Sequence, residues 1–351
     1  MWHEVLGVST LDSDSDFFEL GGQSLQALQV ASRLSLVLDR TITASALFRA
    51  STVGELELLL QQDSSAEVRS LPNAKSSSTS KDQVREVFEP VVVLNTGRSP
   101  SLYCVHSADC LALSYVGLRQ HLPDRAILGF QAPGLTGPSP SDFESLVTDY
   151  VERLLARRPE GPIHLLGWSS GGGIAHAMAT ELLSRGRSIG MLAMLDSYPA
   201  ETWSNSPEPT YADALVMLLD DVDASAFAAN GRPYGEDELV SRLLAPQSSL
   251  SALGEPALRR LAETTLHGMR IYRRAKHPKY PGVVHYFRAT RTPALPTNFM
   301  PGQFTDLDAM RERWRNYAAE LRIIDVDASH LELCQPEPLT IVGQALAAVL
   351  E

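Results

Sequence analysis

Cysteine is scarce. The 351 residues hold three, Cys104, Cys110 and Cys334, an odd number without metal-ligand spacing. That excludes a disulfide-stapled secreted domain and a zinc cluster, and predicts a reducing, cytoplasmic setting with no bound metal. Long apolar runs are missing too: none approaches the ~20 residues that span a bilayer. The first residues, MWHEVLGV, have neither the basic nor the apolar region of a signal peptide. There is no basic tail. With 30 Lys and Arg against 42 Asp and Glu the net charge is −12, the wrong sign for nucleic acid or an anionic membrane as partner. What is present is 44% hydrophobic and 21% charged, the balance of a soluble globular chain long enough for one large domain and something small.

Composition changes sharply once. Residues 63–88, DSSAEVRSLPNAKSSSTSKDQVREVF, are dense in serine and charge, and predict a flexible linker. About 26 such residues have a typical span of roughly 25–30 Å, which lets a small part visit several positions around a large one. Residues 1–62 predict a small all-helical unit. LQALQVASRLSLVL places Leu25, Leu28, Ser32 and Leu36 along one helical stripe, and VGELELLLQQ closes the unit. This piece carries eight acidic residues against three arginines.

Residues 89–351 alternate short apolar runs with amphipathic stretches. VVVLN, SLYCVH, AILGFQ, IHLLGW, MLAMLD, VVHYFR and LRIIDV predict strands. FESLVTDYVERLLARR and GIAHAMATELLSRG predict helices, the second stopped by Gly186. The alternation predicts a mostly parallel sheet with helices on both faces.

In IHLLGWSSGGGIAHAMATELL a strand meets a helix at Gly167-Trp168-Ser169-Ser170-Gly171, the nucleophile-elbow pattern G-x-S-x-G of the α/β-hydrolase fold. Glycines two before and two after let the neighbouring backbone pass closely, and that spacing selects Ser169 over Ser170. Ser170 instead offers a backbone N–H at the helix start, where an oxyanion is stabilised. A serine hydroxyl needs a base, and in this fold the order is serine, acid, histidine. MLAMLDSYP puts Asp196 at the end of the next strand, with Asp109 as a weaker rival because it precedes the serine. LRIIDVDASHLELC puts His330 just past a late strand. Among the other histidines, His285 and His176 read as structural.

The small unit has its own motif, DSDFFELGGQSLQAL. Ser24 there is a good helix N-cap and the Gly-Gly a good loop, but the pattern is longer than a cap requires. FFELGGQSL resembles the phosphopantetheine attachment site of the peptidyl carrier domains of nonribosomal peptide synthetases, with Gln23 where histidine or aspartate is frequent. The resemblance implies that Ser24 carries 4'-phosphopantetheine. A phosphodiester at a helix N-terminus also suits the free N–H groups there.

Together, carrier motif, linker and hydrolase resemble the carrier–thioesterase end of such a synthetase, over nearly the whole chain. The resemblance implies that Ser169, Asp196 and His330 form a catalytic triad. The loop in SLYCVHSADCLALSY looks like the one supplying a second oxyanion donor, which assigns that role to the Ala108 N–H; the family's His-Pro-Ala-Gly-Gly has Ser107 for proline and Asp109-Cys110 for the glycines. Residues 203–276 hold three helical patterns and resemble the family's lid. The basic run RIYRRAKHPK within them reads as a solvated helix end rather than a docking patch. WHEVLGV resembles the end of a carrier's first helix, so the chain is expected to be a fragment cut from a larger synthetase or one with a misplaced start.

The resemblance implies release of a finished acyl or peptidyl chain by hydrolysis or macrocyclisation. Its partners would be upstream condensation and adenylation domains, a phosphopantetheinyl transferase, and the chain's own carrier docking on the thioesterase. Two other readings stay open: a general serine carboxylesterase, and a carrier module with an inactive hydrolase domain.

Overall fold

The computed structural model describes residues 1–350 except 19, 21, 23, 41, 43, 68–87, 158, 204–205, 220–233, 246–247, 249 and 292–311. For residues 24, 25, 28, 32, 36, 44, 45, 62–67, 99 and 252 it describes the backbone alone. Gln23, most of the expected linker, the side chain of Ser24 and the stripe Leu25, Leu28, Ser32 and Leu36 therefore lie outside the described residues.

All seven apolar runs form strands: β1 (Val91–Asn95), β2 (Arg98–Val105), β3 (Arg125–Phe130), β4 (Ile163–Trp168), β5 (Ile189–Leu195), β6 (Tyr280–Ala289) and β7 (Ala318–Val326). They make one sheet in the order β1-β3-β2-β4-β5-β6-β7. β1 runs antiparallel to β3 and every other pairing is parallel. Side chains alternate along each strand and so feed two cores. Tyr103 and Val105 pack with α5 (Phe143–Ala156) and α6 (Ser170–Ser184) on one face. Leu102 and Cys104 pack with the 3-10 helix Leu113–Gln120 and α10 (Pro336–Leu350) on the other. Asp142 caps α5, its carboxylate accepting from the Ser145 N–H at 2.8 Å. Gly186, just past α6, takes φ +76°, the left-handed stop that the sequence predicts.

The N-terminal unit holds α1 (Trp2–Leu6), α2 (Ser24–Leu38), α3 (Ala44–Arg49) and α4 (Val53–Glu67). Its core is aromatic. Trp2 and Phe17 meet edge-on at 5.1 Å, and Phe18 stacks on Phe48 at 5.4 Å. Burying a ring such as Phe17, which is fully enclosed, stabilises the unit by roughly 1.5–3 kcal/mol. Of these, α2 lies against the 3-10 helix Leu113–Gln120 and the turn Ser251–Leu253 of the larger part, and α3 lies against β1.

The ends of the expected linker differ from the structure. α4 continues to Glu67 rather than stopping at residue 62, because no glycine or proline breaks the helix between Gly54 and Pro72. Phe88 is buried, in a core cluster that includes residues of both parts, so packing resumes inside the expected linker. Of the segment 203–276, the structure describes α7 (Tyr211–Val216), α8 (Glu236–Leu243) and α9 (Gly254–Arg273). Thr210 and Asp213 form a capping box at the start of α7. In the basic run, Arg270, Arg273 and Arg274 all turn toward Glu208. Among the described residues no helix is long and apolar enough to cross a membrane, and no group of His, Cys, Asp and Glu could hold a metal ion.

Burial lowers the pKa of His106 and His176 to about 4 and of His277 to about 3. In the unfolded chain all three titrate near 6.5. As pH falls from about 6.5 toward 4 the unfolded chain gains protons that the fold refuses, and stability is lost. Asp109 opposes this: burial raises its pKa to about 6, so the fold gains one proton early. Three histidines outweigh one carboxyl. Calorimetry at constant ionic strength should show a lower Tm at about pH 5 than at about pH 7; an equal or higher Tm would contradict the burial of these imidazoles in neutral form.

Candidate active site

The end of β4 meets the start of α6 at Ser169, whose backbone has φ 56° and ψ −125°, a conformation that disfavours any side chain. The corner survives because its neighbours leave room. A Cβ on Gly167 would overlap the backbone of Gly171 and Gly172, and one on Gly171 would overlap the carbonyls of Val105 and His106. Three further contacts hold it. The Ser169 N–H donates to Leu195 O at 3.0 Å. Ser197 Oγ donates to Ser169 O at 2.5 Å. Tyr115 Oη accepts from the Trp168 N–H at 2.6 Å and donates to Val105 O at 2.7 Å, tying the ends of β2 and β4 together.

Three of the expected residues come together around this corner. Ser169 Oγ lies 3.1 Å from His330 Nε2, and His330 Nδ1 lies 2.9 Å from Asp196 Oδ2. Asp196 follows β5, also at positive φ, 41°. Its carboxylate is fully buried and accepts from Tyr198 Oη at 3.0 Å and from the Ala289 N–H at 3.2 Å. A carboxylate accepting from the imidazole puts the proton on Nδ1 and leaves Nε2 to accept from the serine. The Trp168 indole N–H donates to His330 O at 3.2 Å and fixes the histidine's backbone. This chain of groups can take a proton from Ser169 and stabilise the resulting imidazolium. Asp109, the rival acid, serves elsewhere.

Asp109 organises the loop after β2. Its Oδ1 accepts from Ser107 Oγ at 2.7 Å and from the Leu111 N–H at 3.2 Å. Cys110 takes φ +69°, a backbone that favours glycine. His106 Nδ1 donates to Ser107 O at 2.6 Å, and its Nε2 accepts from Tyr150 Oη at 2.5 Å. The close contact with Gly171 lays this loop on the start of α6. Ser170 is the first residue of α6, so its N–H lacks an intrahelical acceptor, and among the described residues the Ala108 N–H has no acceptor.

Ser169, Ser170, His330 and Ala108 line a cavity of about 810 Å³, well within the range of small-molecule sites. Leu111, Met217, Leu218, Leu250 and Met269 make much of its wall apolar. Phe18 and Gly22 of the N-terminal unit line the same cavity. The Gly22 N–H donates to Phe17 O at 2.9 Å, in a turn so tight that a Cβ would overlap the Phe17 ring. Two residues on, Ser24 opens the 15-residue α2. A tight turn followed by a serine at the first helical position fits a phosphodiester-linked arm.

Sequence patterns did not reveal the roles of Tyr115, Tyr150 and Ser197, which brace the site. Tyr198 was visible in LDSYP without its role.

Comparison with known proteins identifies the kinds of domain present. The family model described as "Phosphopantetheine attachment site" matches residues 1–60, and that of the "Thioesterase domain" matches residues 100–245. The chain is 31% identical over its whole length to a dimodular nonribosomal peptide synthase of Bacillus subtilis (strain 168), of which it spans 14%. It is 29% identical over 99% of its length to enterobactin synthase component F of Escherichia coli (strain K12), of which it spans 24%. The chain thus corresponds to a minor part of the curated relatives it matches. Among solved structures, the NocB thioesterase domain in covalent complex with a fluorophosphonate nocardicin G analogue superposes on 74% of this chain and 99% of its own, at 25% identity and TM-score 0.52.

The corner's dependence on missing Cβ atoms is testable. Gly171→Ala should lower Tm by more than about 4 °C, whereas Gly137→Ala, whose new Cβ would come no nearer than 3.9 Å to Pro133 O, should change it by about 1 °C or less. Equal effects in differential scanning calorimetry would refute the packing argument.

Proposed function

We propose that this chain, which joins a phosphopantetheine-attachment domain to a thioesterase domain of nonribosomal-peptide-synthetase type, releases the acyl or peptidyl chain held on Ser24 by way of Ser169. The observation that carries the reading is one cavity shared by the carrier's Phe18 and Gly22 and by Ser169 and His330.

When bound, 4'-phosphopantetheine on Ser24 supplies a long arm ending in a thiol that holds the chain as a thioester. Ser169 Oγ attacks the acyl carbonyl as His330 Nε2 takes its proton, across the 3.1 Å contact. Asp196 stabilises the imidazolium through Nδ1 at 2.9 Å. The N–H groups of Ser170 and Ala108 receive the developing oxyanion. His330 then gives the proton to the departing sulfur, leaving an ester on Ser169. Water, or an amine or hydroxyl of the chain itself, attacks that ester with His330 again as base; the first product is a free acid, the second a macrocycle. The apolar wall of the cavity supports an acyl or peptidyl substrate.

In this reading residues 1–67 are the carrier and the thioesterase begins at Phe88, with residues 203–276 as its lid. Upstream condensation and adenylation domains supply the chain, and a phosphopantetheinyl transferase primes Ser24. We place the reaction in the cytoplasm, consistent with three free cysteines, two of them buried.

Incubation with coenzyme A and a broad-specificity phosphopantetheinyl transferase should add one phosphopantetheine to the intact mass, and none to Ser24→Ala; an equal gain in both would remove Ser24 from this role. A serine-directed fluorophosphonate should label Ser169, and Asp196→Asn should lower turnover of a soluble thioester by about 10³–10⁴-fold. Labelling elsewhere, or an Asp196→Asn variant near parental activity, would contradict the triad.

A further inference from the structure

The carrier meets the thioesterase through a compact polar contact. Arg119, near the end of the 3-10 helix Leu113–Gln120, donates from Nη2 to both carboxylate oxygens of Asp16, at 3.2 and 3.1 Å. Its guanidinium also sits 4.3 Å from the centre of the Phe18 ring. The two charged side chains are only 16% and 14% exposed, so solvent screens the pair weakly. Asp16 and Phe18 belong to the DSDFFELGGQSL segment that leads into Ser24.

Asp16 is itself fixed. It accepts from the Phe18 N–H at 2.8 Å and from Ser51 Oγ, while the Phe17 N–H donates to Ser51 O at 2.8 Å. On the other side, the helix that carries Arg119 also carries Tyr115, whose hydroxyl holds the Trp168 N–H beside Ser169. A single short element therefore grips the carrier's motif at one residue and the nucleophile's corner at another, four positions earlier. A second bond, Gln29 Nε2 to Ser251 Oγ at 3.0 Å, ties α2 to the region expected to form the lid.

We propose that Arg119 is the positioning residue by which the thioesterase reads its own carrier, taking the Asp16 carboxylate and the Phe18 face together and so aiming Ser24 at the cavity shared with Ser169. The proposal rests on the functional reading above and adds its delivery geometry. Arg119 acts on neither the acyl group nor the proton transfers; it sets how often the loaded arm is presented. Lysine would keep the charge toward Asp16 but lose the planar face that lies over Phe18.

Two measurements test this on the full chain. In the first, the chain is loaded with an octanoyl group from octanoyl-coenzyme A, and its single-turnover release is compared with turnover of the soluble octanoyl N-acetylcysteamine thioester. Arg119→Ala should slow release from the carrier by about tenfold or more, at least fivefold beyond any loss on the soluble substrate, and Arg119→Lys should recover part of it. In the second, amide hydrogen exchange is followed in the unloaded chain, where Arg119→Ala should speed exchange in both 16–22 and 113–121. Equal losses on the two substrates, no loss on the carrier-bound one, or unchanged exchange in both segments would overturn the proposal. If the parent turns over the soluble thioester but does not release its own load, the functional reading fails instead, and the exchange measurement still decides the docking.

Discussion

The site depends on holding one non-glycine residue, Ser169, at φ 56° and ψ −125°. Backbone of this kind costs about 1–3 kcal/mol and persists only where the surroundings enforce it. Here the enforcement comes from four directions. Gly167 and Gly171 remove the Cβ atoms that would collide. Leu195 O accepts the Ser169 N–H, Ser197 Oγ donates to the Ser169 carbonyl, and the Tyr115 hydroxyl captures the N–H just before it. The strain projects the serine hydroxyl from the sheet, toward His330 and the cavity.

The parallel pairing of β4, β5 and β6 then sets the electrostatics. Leu195 pairs with Phe287, so Asp196, just past β5, lies beside the end of β6 and accepts there from the Ala289 N–H. Asp196 would be costly to bury alone; leaving such a charge without partners costs about 3–5 kcal/mol. Its bonds from Tyr198, the Ala289 N–H and His330 remove that cost and hold the imidazole in one tautomer.

Much of this was legible in the sequence, for identifiable reasons. The seven strands stand out because buried parallel strands are short continuous apolar runs. Ser169 is singled out by glycine spacing, and Asp196 and His330 by their positions just after strands, where loops of this fold converge. The rest required the third dimension. Tyr115 lies 53 residues from Trp168, and no local pattern announces that its hydroxyl bridges two strand ends. The loop after β2, residues 106–112, has no glycine to mark its turn, and only the structure shows Cys110 adopting the left-handed backbone while Asp109 braces it. The contact of Arg119 with Asp16 joins residues 103 apart, one in a 3-10 helix and one in a loop, and leaves no trace in any local pattern. Phe88 and residues 63–67 were read by composition, which marks where a linker lies but not where packing resumes.

The central claim is that an acyl group carried on the N-terminal unit leaves through Ser169. The most direct test is the intact mass of the octanoyl-loaded chain over time, for the parent and for Ser169→Ala. The account predicts that the parent returns to the mass of the unacylated, phosphopantetheine-bearing form while the variant keeps its octanoyl group at the slow rate of spontaneous thioester hydrolysis. Loss of the group at the same rate from both would show that release does not pass through this serine.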